Sequence, residues 1–330
     1  MSLEPALYPF RFEPIYQYRL WGGRKLEHIV AAPLPPDQPI GEAWILSDRD
    51  DFTSLVAEGP LAGKSIQDLI QLSPKGMFGE RAGKLTRYPL LLKFLDAQEM
   101  LSVQVHPSDA HKDLLPPGER GKTEAWVVLE SEPESSIFAG LKPGTTAEDI
   151  RHGLATKTVA DDLASFRPKP GDGVLIRAGT VHALGGGVVV FEVQQNSDVT
   201  FRLYDWDRVD PKTGKPRELH IEDSLKCIDF TEGPVDRSIP KILETAPVLR
   251  EELFSCEFFI TYRFTGTSPF TVGAEGALRS IVVLDGAGHL SRGKDLFPFR
   301  RGEVWLLPAE VGVVGVAPEG SVTLLEIELP

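Results

Sequence analysis

Leu101 to Asp109 reads LSVQVHPSD, and its alternation of apolar and polar residues is that of a half-buried strand. Gln104 and His106 then project to one side, roughly 6.6 Å of rise apart, near enough to converge on one ion on a concave sheet. Pro107 ends the strand, because it has no N–H for the next ladder bond. Two further ligand types follow in the chain. Glu124 lies in Lys122-Thr123-Glu124-Ala125-Trp126, where period two puts Lys122 and Glu124 on one strand face. His182 lies in Ala178-Gly179-Thr180-Val181-His182-Ala183, which leads into a glycine cluster. Two imidazoles and a carboxylate leave coordination positions open, as a catalytic zinc site does, and the same set suits ferrous iron. Ligand type alone does not choose between these metals.

Several charged residues stand in apolar surroundings. Lys93 is set in the buried-strand pattern Tyr88-Pro89-Leu90-Leu91-Leu92-Lys93-Phe94-Leu95, and a buried lysine requires a partner or a wet cavity. Glu192 falls in the apolar run 188–195. Arg202, between Phe201 and Leu203, is placed on the face opposite to them, where an anion is the natural partner of a guanidinium. Glu42 precedes the run Ala43 to Leu46 and points either into a cavity or out of a strand end. Lys93, Lys122 and Arg202 are expected to make the cavity cationic, as a phosphorylated substrate needs.

The elements that must carry these residues are mostly strands. A chain of 330 residues suggests two domains. Its net charge of −13 argues against a nucleic-acid backbone as partner. Two distant cysteines, Cys227 and Cys256, give neither a disulfide framework nor a cysteine metal knuckle. The first residues have no basic stretch followed by an apolar run, and no segment is apolar over the ~20 residues that span a bilayer, so a cytoplasmic protein is expected. Ser65 caps a helix that runs to about Leu72 within a helical addition over 65–80. Thr146 caps another, with a second short helix at Val159 to Ala164, inside an addition over 146–166. Trp21-Gly22-Gly23 reads as a turn.

The tail repeats part of the middle. Residues 301–327 overlay on 170–196, with Gly302 on Gly171, Glu303 on Asp172, Val313 on His182 and Thr323 on Glu192. The second copy keeps the strand pattern and loses the polar side chains, so His182 and Glu192 are not what the fold demands. The fold class expected is mainly β, two β-barrel units of jelly-roll type. Residues 1–235 form the metal-bearing unit with helical additions, and 236–330 a second β unit without a metal site.

Four ordered motifs carry a family resemblance. The run Tyr88 to Asp109 with its Gln-x-His, the Lys-Thr-Glu-Ala-Trp strand, the Gly-Thr-Val-His-Ala-Leu turn and the stretch Glu192 to Arg202 resemble the type I mannose-6-phosphate isomerases, zinc enzymes of the cupin superfamily. The match covers most of residues 10–230, without the large helical insertion of longer members. The resemblance implies two cupin-like units and one zinc ion per chain. His106, Glu124 and His182 would be its ligands, with Gln104 a further one. It implies Arg202 as the active-site arginine, Glu192 and Lys122 as catalytic candidates, and Lys93, Ser102 and Glu42 as residues lining the substrate pocket. The implied reaction interconverts mannose 6-phosphate and fructose 6-phosphate through an enediol. An isomerase of another phosphosugar, a ferrous oxygenase and a non-catalytic sugar-phosphate binder are the alternatives.

Overall fold

The computed structural model describes residues 6–330, and β-strands dominate it. The first unit consists of two antiparallel sheets. The larger runs in the order Gly173–Ile176, Glu124–Ser131, Val188–Gln195, Leu90–Ala97, Ile15–Gly23 and Ile40–Leu46, the last strand also pairing directly with Leu90–Ala97. The smaller runs Leu163–Phe166, Ile137–Leu141, His182–Leu184, Val103–Val105 and Phe201–Tyr204. The second unit repeats the scheme. Its large sheet orders Val304–Leu307, Arg279–Asp285, Val322–Glu328, Ile260–Gly266, Leu249–Ser255 and Lys241–Glu244, and its small sheet Phe270–Val272, Val314–Pro318, Ala287–Arg292 and Asp295–Arg300. The short strand Phe10–Arg11 joins the second unit's large sheet beside Val304–Leu307, so the beginning of the chain is woven into its end.

Period-two alternation decides what each face does. On the larger sheet of the first unit, Ala125, Val127, Val189, Phe191, Leu92 and Phe94 point outward and pack against Val282, Leu306, Leu325 and Ile327 of the second unit's large sheet. The inward side chains Trp126, Val128, Val190 and Leu95 close the first barrel against Ile137, Ala139 and Leu184 of the facing sheet. Outside that smaller sheet, Val103, Val105, Ala183 and Leu203 pack on Ile150 and Cys227 of two helices. Glu42, Lys93, Glu124 and Glu192 have the inward parity on one sheet, and Gln104, His182 and Arg202 on the other. Every candidate side chain on a strand therefore looks into the same barrel.

The capped helices form where the sequence places them. Ser65 and Asp68 make a reciprocal capping box for Ile66–Leu72, and Ser73 then caps a short second helix, Pro74–Phe78. Thr146 and Asp149 do the same for Ala147–Thr156. The expected second helix at Val159 to Ala164 is instead a 3-10 turn, Val159–Asp162, followed by a strand, Leu163–Phe166. That strand pairs with Ile137–Leu141, and burying Leu163 against the smaller sheet outweighs local helix preference. The Trp21-Gly22-Gly23 stretch ends a strand and is not a turn. A Cβ on Gly22 would lie 2.4 Å from the backbone nitrogen of Gly41, so its glycine serves a close strand crossing.

Pairing register also corrects the overlay of the two copies. Ile176 lies opposite Glu124 and Leu307 opposite Arg279, as the overlay requires. In the last strand, however, Glu192 lies opposite Trp126 while Glu326 lies opposite Ile281, the register equivalent of Trp126. The true counterpart of Glu192 is thus Glu326, three residues beyond Thr323, because the stretch from Leu307 to Val322 is three residues longer than that from Ile176 to Val188. The second unit keeps a buried carboxylate and carries Arg279 where the first has Glu124.

Candidate active site

Three side chains meet on the barrel floor. His106 Nε2 lies 3.3 Å from Glu124 Oε2, and His182 Nε2 lies 3.3 Å from Glu124 Oε1. All three are at most 1% exposed. The His106 Nδ1–H donates to the Val199 carbonyl and the His182 Nδ1–H to the Thr180 carbonyl, each over 2.9 Å. Those carbonyls fix the tautomer, so both Nε2 atoms carry lone pairs toward the Glu124 carboxylate. Acceptor thus faces acceptor, with no donor between them. His106 Nε2 and both Glu124 oxygens are buried with no hydrogen-bond partner. A buried acceptor without a donor is costly, and a cation at the centre satisfies all of them together. Among the described residues, this is the cluster of histidine and carboxylate groups able to hold a metal ion.

The ionisation states suit that role. Burial, with the Lys122 ammonium nearby, pushes His106 down to about 3, and burial likewise lowers His182. Both imidazoles are therefore neutral and free to ligate. Burial works to protonate Glu124, but the Lys122 ammonium, 3.0 Å away, outweighs it and holds the carboxyl well below its usual range. Gln104 sits directly opposite His182 in the pairing register, its Nε2 donating to His182 Nε2 over 3.1 Å. Ser102 lies at 3.5 Å from the Gln104 amide oxygen.

Above this floor opens a cavity of about 420 Å³, lined by Glu42, Lys93, Ser102, Gln104, Lys122, Glu192 and Arg202 among others. A cross-strand row crosses its large-sheet wall. Trp126 stands opposite Glu192, Glu192 opposite Lys93, and Lys93 opposite Trp44. Lys93 Nζ lies 3.1 Å from Glu192 Oε1 and 3.6 Å from Glu42 Oε2. Burial would strip the ammonium of its proton, but the two carboxylates hold it above its ordinary range. Glu42 is fully engaged, accepting from Arg19 Nε at 2.8 Å and from Trp44 Nε1 at 2.6 Å. It is depressed despite its burial, by Lys93 and Arg19. Glu192 behaves oppositely, because burial and the nearby Glu124 charge raise it to about 7.

The cavity is not cationic in itself, contrary to the expectation from its lysines. Lys93 and Lys122 are engaged by Glu192, Glu42 and Glu124, and Arg19 by Glu42. Asp198 and Asp210 add negative charge to the wall. Arg202 is the exception. Its Nη1 donates only to the Glu218 carbonyl, its Nε is buried without a partner, and among the described residues no carboxylate pairs with it. The neighbouring Arg208 and Arg217 are both held by Asp205. Burial and the Arg217 charge lower the Arg202 guanidinium from its usual range, the mark of a cation lacking an anion.

The structure thus brings all ten sequence-predicted residues to one barrel. Sequence reasoning missed Arg19, which neutralises Glu42, and the indole donors Trp44 and Trp126. The indoles had a signal, since each stands two residues after a candidate carboxylate on the same strand face.

Residues 9–125 match the family model for the catalytic domain of type I phosphomannose isomerase. The chain is 33% identical over 304 residues to the mannose-6-phosphate isomerase ManA of Bacillus subtilis, covering 92% of this chain and 94% of the relative. The chain belongs to the type I phosphomannose isomerase family. A mannose-6-phosphate isomerase of Streptococcus mutans is 32% identical over 88% of this chain and 89% of its own. Among solved structures, the mannose 6-phosphate isomerase of Bacillus subtilis superposes with a TM-score of 0.88 at 28% identity, over 97% of this chain and 99% of that one. A family fold solved with zinc bound, at 16% identity and a TM-score of 0.78, covers 97% of this chain and shares its architecture. No helix among the described residues is long and apolar enough to cross a membrane.

Proposed function

We propose that this chain interconverts mannose 6-phosphate and fructose 6-phosphate at the barrel floor, with zinc held by His106, Glu124 and His182. The observation that carries this reading is the set of buried acceptors aimed at one point, two strands of the smaller sheet away from Arg202, whose guanidinium has no carboxylate partner among the described residues. His182, Gln104 and Arg202 are consecutive in the pairing register, so roughly 9–10 Å separates the ligand strand from the arginine strand. That span suits a six-carbon chain with its carbonyl end at the floor and its phosphate at Arg202. The cavity's own charges nearly balance, so a divalent ion and a phosphate dianion can enter it together. A phosphosugar substrate also fits a cytoplasmic setting.

Zinc in that position supplies Lewis acidity that polarises the sugar carbonyl. Gln104 can offer its amide oxygen as a further ligand once the side-chain amide is turned over. Glu192 carries the proton from C2 to C1 on one face of the sugar, and its raised pKa near neutrality suits a group that must both take and return it. Lys93, 3.1 Å from that carboxylate, and Lys122 face the oxygens on which negative charge develops. Ser102 and Glu42 border the sugar hydroxyls. The division of the chain at about residue 235 puts all of these groups in the first unit, with Phe10–Arg11 reaching into the second. A coupled assay for fructose 6-phosphate, before and after chelation and with zinc restored, tests the reading. Chelator-sensitive turnover that zinc restores is expected; metal-bound protein without turnover would overturn it.

A further inference from the structure

Two carboxylates flank Lys93, and each accepts from a tryptophan indole. The two are nevertheless held differently. Both oxygens of Glu42 have donors, from Arg19 and Trp44, so this carboxylate is fixed. Glu192 has one, the Trp126 Nε1–H, which reaches Oε2 over 2.9 Å. Its other oxygen, Oε1, is buried without a hydrogen bond, because Lys93 Nζ at 3.1 Å is out of line to donate. The indole therefore ties Oε2 to the wall, and Oε1 has only the Lys93 ammonium beside it. Trp126 is itself buried, 1% exposed and edge-on to the His182 ring at 5.5 Å between centroids.

The second unit supplies an internal control. Its register equivalent of Trp126 is Ile281, and its equivalent of Glu192 is Glu326. Glu326 is held there by the Gly273 N–H and by Arg279, with an aliphatic residue beside it. The barrel does not need an indole at this place.

We propose that Trp126 is a positioning residue, which acts through Glu192 by holding Oε2 so that Oε1 is the oxygen presented to substrate. This rests on the reading of Glu192 as the proton carrier. The indole is placed to keep the carboxylate from rotating toward Lys93, where a linear ion pair would withdraw its reactive oxygen.

The test combines kinetics with a signal from the indole. Trp126→Phe removes the N–H and keeps an aromatic ring; kcat is expected to fall roughly tenfold with KM within about twofold and the zinc content unchanged. In a Glu192→Gln background the same substitution should cost nothing further, since both changes act at one group. The ¹⁵N-indole resonance of Trp126 in the zinc-loaded protein should move when Glu192 is changed to Gln, because its acceptor loses charge. Wild-type kcat in Trp126→Phe beside an inactive Glu192→Gln overturns the role of Trp126 alone. Wild-type turnover in Glu192→Gln overturns the proton-carrier reading and the positioning role with it. Additive losses in the double variant overturn the inference, as does an indole resonance that ignores residue 192. That last measurement decides the matter even if Trp126→Phe does not fold.

Discussion

Replacing Lys93 by Met keeps an unbranched stem and deletes a charge lying between two buried carboxylates. The ammonium is 3.1 Å from Glu192 and 3.6 Å from Glu42, in a side chain only 4% exposed. At an effective dielectric of 20, each attraction is about 5 kcal/mol before desolvation is subtracted. Removing one partner of a buried pair costs roughly 3–5 kcal/mol, because the other charge is stranded. Glu42 keeps Arg19 and Trp44, whereas Glu192 keeps only the Trp126 indole, so Glu192 is the stranded group. It escapes by taking a proton, which favours the lower figure, a loss of about 3 kcal/mol at pH 8. The sign with pH follows from the raised Glu192 pKa, which Lys93→Met raises further. The folded state then binds more protons than the unfolded chain, so the variant loses stability as pH rises from the unfolded carboxyl value toward the folded one. Urea unfolding of metal-free wild type, Lys93→Met and Lys93→Met/Glu192→Gln at pH 6 and pH 8 measures this. We expect a deficit larger at pH 8, at least half recovered in the double variant. A deficit below about 1 kcal/mol, or a double variant no better than the single one, would refute the pairing scheme.

Arg202→Ala should lower kcat/KM for mannose 6-phosphate by roughly 10²–10³-fold, since charge-assisted bonds to phosphate are lost from a site with no substitute; an unchanged value removes Arg202 from the site. Glu124→Gln should abolish stoichiometric zinc binding in equilibrium dialysis against micromolar zinc, while circular dichroism stays that of the wild type; retained zinc would show that the three acceptors are not its ligands. In the metal-free protein, His106 titrates in the folded state at about 3, so the unfolded chain binds the extra proton between that value and about 6.5. Wild-type stability should therefore fall more steeply than that of metal-free His106→Leu between pH 7 and pH 5, and equal slopes in urea unfolding would contradict a buried neutral imidazole.

Much of the site was legible because strands obey a short rule. Gln104-x-His106, Lys122-x-Glu124 and an arginine between two apolar neighbours are local patterns, and period two states which side chains share a face without any knowledge of the partner strand. Helix starts at Ser65 and Thr146 were legible for a similar reason, since a capping box is complete within four residues. The strand at Leu163–Phe166 was not, because its pairing partner, Ile137–Leu141, lies more than twenty residues away. Neither was the equivalence of Glu192 and Glu326, because three extra residues ahead of the last strand change the sequence offset while the hydrogen-bonded register stays the same.

By itself, then, the sequence determined the chemical types: which residues can ligate, which carry charge into apolar strands, and that these strands alternate between two faces. Only the tertiary structure decided which charges remain free. Lysines that read as substrate cations are neutralised by Glu42, Glu124 and Glu192, and the guanidinium of Arg202 is left alone while its neighbours share Asp205. The reason is physical. A residue's type is a property of the local chain, but its ionisation and its unmet hydrogen bonds depend on every group within a few ångströms, and those groups come from separate strands of two facing sheets.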